Sequence, residues 1–535
     1  MERIGNKKNK LSRRDFIKTT SVGIGAAAVV GLDAAPAISK DSAPDLKWDK
    51  ETDVIVVGTG FAGIASAMTA HGAGVKVLIL EKAPKELEGG NSKVSGNMWW
   101  TPTNVETGIK YITSLCYGLT DQESIKALAR GMFENNDWLK KLGVEPRSLG
   151  MFQPEYPELP GSEAVRTWSN ASGGFGAALY NPLRAKLDEL SIPIMYQTPA
   201  KELIRNYEGE IIGVKAESGG KAINIKARRG VILACGGFEF AHDIQQQYLP
   251  GWPMYGRGST YNTGDGIRMA QKAGADLWHM NNALAGIGAI LVDDDDLGRV
   301  PVSVSLYSVP YILTDHQGKR FMNESIRGRH GLGEKEHLIF FDPLNTQSFT
   351  RIPCYAILDS RVLKRPLVSS GMKFGWYNWY TKYKWSSDNS AEIEKGWIIK
   401  GDTIQELADK LDIKPDSLEK TITTYNQFCN SGVDSDFGRP KTGLTKIDQP
   451  PYVALKIYPI MYNTQGGPRR NASCQIVDPF NNPIPRLYSA GELGSFWGWM
   501  YNGGGNNSEC LATGRIAGAN AASLMPWESD KIRSY

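Results

Sequence analysis

The chain has 535 residues, 41% hydrophobic and 22% charged, with 58 Gly and 28 Pro. This is α/β globular composition; it excludes a disordered, collagenous or coiled-coil chain, and the length suits two or three domains. The formal charge of +4 is local: residues 1–37 hold seven Lys/Arg against three Asp/Glu and the remainder is neutral, which gives no electrostatic reason to expect nucleic acid or an anionic membrane as partner.

Residues 1–20 carry Lys7, Lys8, Lys10, Arg13, Arg14 and Lys18, an apolar stretch covers 22–32, and Ala35-Pro36-Ala37 follows. A charged segment, a short apolar run and an A-x-A site predict an export signal over residues 1–37, cleaved after Ala37. The apolar run falls short of the ~20 residues that a spanning helix needs. Ser12-Arg13-Arg14-Asp15-Phe16-Ile17-Lys18 resembles the twin-arginine signal, which implies export of an already folded chain, often around a cofactor. The expected location is the periplasm or the outer face of the cytoplasmic membrane, where soluble NAD(P)H is not available. No later segment offers 18 consecutive apolar residues.

Residues 52–57, Thr-Asp-Val-Ile-Val-Val, predict a strand buried on both faces of a parallel sheet. Gly58-Thr59-Gly60-Phe61-Ala62-Gly63 follows, then a predicted helix over 64–72 and a second strand over 76–80 that ends at Glu81. In this order the glycines form a tight turn that brings a pyrophosphate to a helix N-terminus, and the Glu81 carboxylate accepts ribose hydroxyls. After Lys82 comes a glycine- and hydroxyl-rich loop over 89–97, which holds Gly90, Asn91, Ser92, Ser95 and Gly96. Its N–H groups and short polar side chains suit a second phosphate and a ring edge. Residues 228–237 read as a buried strand ending in a glycine turn, and 487–492 precede Gly503-Gly504-Gly505-Asn506-Asn507-Ser508 and a helix over 509–522. The uncapped start of such a helix can direct its positive end at an electron-rich carbonyl.

The fingerprint, the 89–97 loop, the 231–237 strand and the 489–507 tail together resemble the flavoprotein superfamily of soluble fumarate reductases, urocanate reductases and 3-ketosteroid dehydrogenases. The resemblance covers nearly all of residues 48–525. It implies a doubly wound, Rossmann-like α/β domain that binds FAD and is assembled from both chain ends (48–251 and 447–525), with an α+β capping domain inserted at 252–446. FAD contacts are then expected from Gly58, Gly60, Ala62, Gly63, Glu81 and Lys82, from the five loop residues above, and from Ala200, Asp265, Glu492, Asn506 and Asn507. The loop has no counterpart of the histidine that tethers FAD in succinate dehydrogenases, so the cofactor is expected to be noncovalent.

Within the cap, 403–411 and 417–429 read as helices, Thr263-Gly264-Asp265-Gly266 opens another, and residues 315–324 resemble a landmark close to the flavin. Fumarate reductases place an arginine proton donor shortly after Asn-Glu, and ketosteroid dehydrogenases place a tyrosine there. A gapless match after Asn323-Glu324 falls on Gly328, so the acid is expected to be Arg329 or Arg327, which flank it. Asn463 and Asn502 stand where fumarate reductases carry a histidine and an arginine that hold carboxylates, which argues against a dicarboxylate. Tyr501 and Gly505 match the pair that holds the ketone in ketosteroid dehydrogenases, and a phenol O–H with a backbone N–H can stabilise enolate character.

Aromatics beside these motifs (Trp99, Trp100, Trp497, Trp499) and in the cap (Trp376, Tyr377, Trp379, Tyr380, Tyr383, Trp385, Trp397) suit a ring-containing ligand or, equally, core packing. The expectation is an oxidoreductase acting on a C–C bond next to a carbonyl, in the direction that reduces an unsaturated carbonyl compound, with a cytochrome or membrane quinol as electron donor. A desaturating dehydrogenase and a flavin-binding electron carrier are the alternatives. Six scattered cysteines (Cys116, Cys235, Cys354, Cys429, Cys474, Cys510) form no C-x-x-C and predict neither a metal site nor a redox pair, only small buried side chains.

Overall fold

The computed structural model describes residues 46–150, 154–172, 175–294, 298–304, 306, 309–325, 329, 334–368 and 383–527. The expected export signal, Arg327, and Trp376, Tyr377, Trp379 and Tyr380 lie outside the described residues.

Strand Lys50–Val57 runs through the centre of the first sheet, parallel to Val77–Leu80 on one side and to Lys221–Leu233 on the other. Its alternation divides two cores. Val54 and Val56 face the helix Phe61–Gly72 with Ile79 and Ile232, whereas Ile55 and Val57 face the opposite layer with Leu80, Val231 and Leu233. A strand covered on both faces needs apolar residues at every position, which is why this segment reads as a continuous β-branched run. Pro483–Ser489 adds parallel to Lys221–Leu233, so the C-terminal part of the chain completes the sheet begun by the N-terminal part. The outer strands Ile211–Ser218, Ala200–Arg205 and Gln475–Val477 are antiparallel, so the sheet is mixed. The C-terminal helix Gly505–Ser523 lies against Phe61–Gly72 through small residues, so close that a Cβ on Gly514 would stand 2.5 Å from the Ala62 carbonyl oxygen.

A second, antiparallel sheet is built around the long strand Tyr452–Thr464, flanked by Ala283–Asp294 and Cys354–Asp359. One face buries Val453, Leu455 and Ile457, and the other packs Ala454 and Ile357 on helices Ile404–Leu411 and Pro415–Ser431. Thr403 caps the first of these helices by accepting from Glu406 N. Because this long strand bonds to the second sheet, the chain returns to the first sheet at residue 475, whereas the resemblance implied a return from residue 447. Tyr383, Trp385 and Trp397 cluster with ring centroids 5.1–6.2 Å apart and pack on the core of this second unit, so of the two uses expected for them these three serve core packing.

Residues 98–170 add a feature the sequence reading did not separate. A three-stranded antiparallel sheet (Met98–Pro102, Val165–Asn170, Pro146–Ser148) accompanies helices Val105–Cys116 and Gln122–Lys141. The six cysteines are free thiols. Among the described residues no helix is long and apolar enough to cross a membrane.

Candidate active site

The first strand, its helix and the returning C-terminal segment enclose a cleft of about 810 Å³, counting space open to solvent. Its floor is the glycine turn. Gly58 has φ +109°, and a Cβ there would meet the Ala234 carbonyl oxygen at 2.4 Å; a Cβ on Gly63 would meet the Gly58 carbonyl oxygen at 2.0 Å. The helix Phe61–Gly72 starts with no side-chain cap and no acid in its first turn, an arrangement that favours an anion. Ser92 Oγ accepts from Phe61 N at 2.9 Å and so ties the 89–97 segment to that helix end. This segment, expected as a loop, contains the short helix Gly90–Val94, which is held in place where Gly176 N donates to Ser95 O.

Glu81 ends the second strand as expected. It accepts from Thr59 N at 3.0 Å, from Thr59 Oγ1 and from Ala83 N at 2.8 Å, leaving carboxylate capacity toward the cleft. Thr59, unremarked in the sequence, links this acid to the next segment, because its hydroxyl oxygen also accepts from Gly89 N. Lys82 bridges to Asp265 at 2.7 Å and to Thr263 at 2.5 Å, which brings the second predicted turn to the cleft. Gly60, Ala62, Gly90, Asn91, Ser92, Ala200 and Glu492 line the same cleft. Gly63, Ser95, Gly96, Asn506 and Asn507 stand behind it: Asn507 Nδ2 donates to Ser95 Oγ and Met98 O, while Asn506 Oδ1 is buried without a partner. Cys235 and Cys510 also line the cleft, and burial pushes the Cys235 thiol up to about 12, so it remains protonated.

Orphaned polar atoms mark where a ligand fits. Asn262 Nδ2, Glu239 Oε2 and Asn506 Oδ1 are buried with no hydrogen-bond partner, an arrangement that native interiors rarely tolerate. Together with the glycine floor and the helix start that has no side-chain cap, they suit a ligand bearing phosphates, hydroxyls and a heterocycle.

Beyond the cleft, Tyr501 is buried and donates to Asn463 Oδ1 at 2.9 Å, while Asn463 Nδ2 is buried without a partner. Burial, ahead of Glu155 and Glu492, holds the Tyr501 phenol well above its ordinary range, so it stays a proton donor. The Gly505 N–H, expected beside Tyr501 as the second carbonyl donor, instead donates to Asn502 O at 2.8 Å within the turn that opens the C-terminal helix. Asn502 Oδ1 accepts from Tyr111 Oη at 3.0 Å and Glu155 N at 2.8 Å, so this residue fastens the 155–158 segment. Trp497 stacks toward both Trp100 and Tyr501, with centroids 6.1 and 6.2 Å apart; Trp99, Trp100 and Trp497 are fully buried, whereas Trp499 is exposed.

Arg329 is exposed, pairs with Glu158 and lies 5.4 Å over the Tyr156 ring. The stretch leading to it is anchored by a buried network in which Arg320 bridges Glu324 and Asp434 at 2.8 and 2.9 Å and Arg439 reaches Glu324 at 3.2 Å. The landmark at 315–324 is therefore itself held by buried ion pairs.

A family described as FAD binding domain matches residues 53–508. The chain belongs to this family. The protein is thus a flavoprotein oxidoreductase that uses FAD. It is 28% identical to the 3-oxosteroid 1-dehydrogenase of Mycobacterium tuberculosis, over 88% of this chain and 98% of that one. It is 29% identical to the acrylate reductase flavoprotein subunit of Shewanella woodyi, over 95% of this chain and 98% of that one. Its fold superposes on the 3-ketosteroid delta1-dehydrogenase of Sterolibacterium denitrificans with a TM-score of 0.74 and 22% identity, over 89% of this chain and all of that one.

Proposed function

We propose that this flavoprotein is an exported reductase of α,β-unsaturated carbonyl compounds, with a ring-containing substrate. The observation that carries the reading is the buried pair of Tyr501 and Asn463, two neutral donors joined at 2.9 Å with one amide N–H₂ unused. Neutral donors suit a ketone or lactone oxygen, whereas a dicarboxylate calls for cations. If the Asn463 amide turns, its N–H₂ meets the phenol oxygen and the Tyr501 proton is released toward a substrate carbonyl; the two amide orientations are equivalent in shape. Tyr501 then donates to that oxygen as negative charge develops on it, and the Asn463 amide holds the phenol in place.

FAD, once bound and reduced by the electron donor, would supply the hydride that the alkene carbon β to the carbonyl accepts. Gly58, Gly60, Ala62 and the helix start would hold its pyrophosphate, Glu81 its ribose, and Asn91, Ser92 and Glu492 its remaining polar edge. Arg329 and Arg327 are the candidates to protonate the α-carbon; Arg329 has the Tyr156 ring and Glu158 to orient it. A cytochrome or membrane quinol would supply electrons. Likeness to an acrylate reductase supports the reductive direction, and likeness to the 3-oxosteroid enzymes supports a ring-bearing substrate.

An anaerobic screen tests this reading: dithionite-reduced protein is mixed with cyclic enones, unsaturated lactones and fumarate while flavin reoxidation is followed. Rapid reoxidation by an enone or lactone, with fumarate inert, is expected. Turnover only of saturated ketones with a dye acceptor would establish the desaturating direction instead, and electron exchange with a cytochrome without any carbonyl turnover would establish an electron carrier. Two expectations accompany the proposal. Denaturation should release free FAD into the filtrate, and flavin fluorescence retained on the denatured chain would contradict noncovalent binding. Arg13→Lys with Arg14→Lys should leave the protein in the cytoplasm of an expressing bacterium, as read by cell fractionation; unchanged export would point to the general secretory route.

A further inference from the structure

Two acids share one corner of the cleft wall. Glu239 follows the Gly236-Gly237-Phe238 turn and is fully buried; Glu492 is partly buried, and it lines the cleft. Asn91 Nδ2 donates to Glu239 Oε1 at 3.2 Å and to Glu492 Oε2 at 3.1 Å. The orientation of that amide is fixed, because its oxygen accepts from Ser259 N at 2.8 Å. The Thr464 N–H divides between the same two carboxyls, at 3.1 Å to Glu239 Oε1 and 3.0 Å to Glu492 Oε1. Groups that share both donors are neighbours, and a proton placed between them would let the two carboxyls hydrogen-bond each other.

Tyr501 and Cys510 face Glu492 and are themselves held protonated. Arg257, on the segment that carries Ser259, is turned over the Tyr462 ring at 5.0 Å, and Lys82 is engaged with Asp265. Among the described residues no group of three metal-ligating side chains gathers at this corner. Two carboxylates this close cannot both ionise in a buried site. Burial first and Glu239 second accordingly push Glu492 well above the usual carboxylate range.

We propose that Glu239 and Glu492 share a single proton and act as an acid pair in the cleft wall that sets how FAD retention changes with pH. While the proton is present the pair carries one negative charge. Its loss adds a second charge to a wall that faces a ligand with an anionic pyrophosphate, and the hold weakens. The proposal concerns the cofactor site and is independent of which substrate the enzyme takes.

Glu239→Gln tests it, because the amide can donate an N–H where the shared proton stands and keeps the shape of the pair. FAD dissociation from the loaded protein would be measured by equilibrium dialysis across pH, alongside infrared spectra of the oxidised protein. Wild type should show a carboxylic acid carbonyl stretch, and its FAD affinity should fall by up to about tenfold per pH unit above the titration of the pair, the slope for one proton. Glu239→Gln should lose that band and hold FAD with an affinity that no longer falls with pH. Thermal stability has the same sign. A folded-state pKa above the unfolded value gives stability that is full below the ordinary carboxylate range and is lost as pH rises through the raised value. That loss should be present in wild type and absent in Glu239→Gln. Glu492→Gln should likewise lose the band, which separates the pair from a single protonated acid elsewhere. A wild-type protein without the acid band, a variant that keeps the wild-type pH profile, or a stoichiometric divalent ion found by elemental analysis would each overturn the proposal.

Discussion

Tyr501→Phe is expected to lower turnover of the carbonyl substrate by roughly 10²–10³-fold, the usual loss of one preorganised donor to a developing oxyanion. The loss should appear in kcat as well as kcat/KM, since the hydrogen bond strengthens only as charge builds on oxygen. The change also strands Asn463, whose Oδ1 now accepts from the phenol. A buried amide left unpaired costs about 1–3 kcal/mol, so a lowered Tm with unchanged FAD content should accompany the kinetic loss. Reduction of the bound cofactor by dithionite does not use this pair and should proceed at the wild-type rate. Wild-type turnover by the Phe variant, with chemistry rate-limiting, would move the carbonyl site away from Tyr501 and toward Arg329.

A second large effect is expected at the glycine floor, where two neighbouring substitutions should fail for different reasons. Gly63→Ala forces a Cβ to within 2.0 Å of the Gly58 carbonyl oxygen, a backbone atom that no rotamer change can move. Helix and turn must separate, so the variant should be recovered colourless, with a much lowered Tm or as aggregate. Gly60→Ala meets only Ser92 Oγ at 3.2 Å and the Gly89 carbonyl oxygen at 3.8 Å, which a hydroxyl rotation can relieve. That variant should keep the wild-type circular dichroism spectrum and lose FAD affinity, because the methyl group points where the pyrophosphate must approach. Equal FAD content in wild type and Gly60→Ala would remove the phosphate from this turn.

The parts of this fold that could be read from sequence are those whose cause is local. The strand expected at 52–57 and found at Lys50–Val57, the helix expected at 64–72 and found at Phe61–Gly72, Glu81 at the end of the second strand and the two cap helices each follow from a periodicity or a cap within about 20 residues. The features that escaped depend on partners far apart in the chain. Asn91 meets Glu239 across 148 positions and Glu492 across 401, and no local pattern carries that information. Glu239 did leave a faint signal, an acid set directly after the buried strand and its glycine turn. Asn502 looked like a vacated arginine position, yet it works as a brace for Tyr111 and Glu155. Aromatic content pointed to a pocket, but the same apolar area serves a core equally well, and Tyr383, Trp385 and Trp397 were used that way.

The contact between Gly505–Ser523 and Phe61–Gly72 has a consequence for manufacture. The fingerprint leaves the ribosome early, whereas the helix that backs it and the Ala490, Glu492 and Cys510 wall of the cleft come more than 400 residues later. At a synthesis rate of about 5–20 residues per second, the first half of the site waits some tens of seconds with its apolar helix face uncovered. Capture of FAD in a finished cleft must therefore be a late, post-synthetic event. For a chain that crosses a membrane as a folded body, as proposed, the cofactor would have to be loaded in the compartment of synthesis, and the supply of FAD there would become a checkpoint on how much protein leaves the cytoplasm.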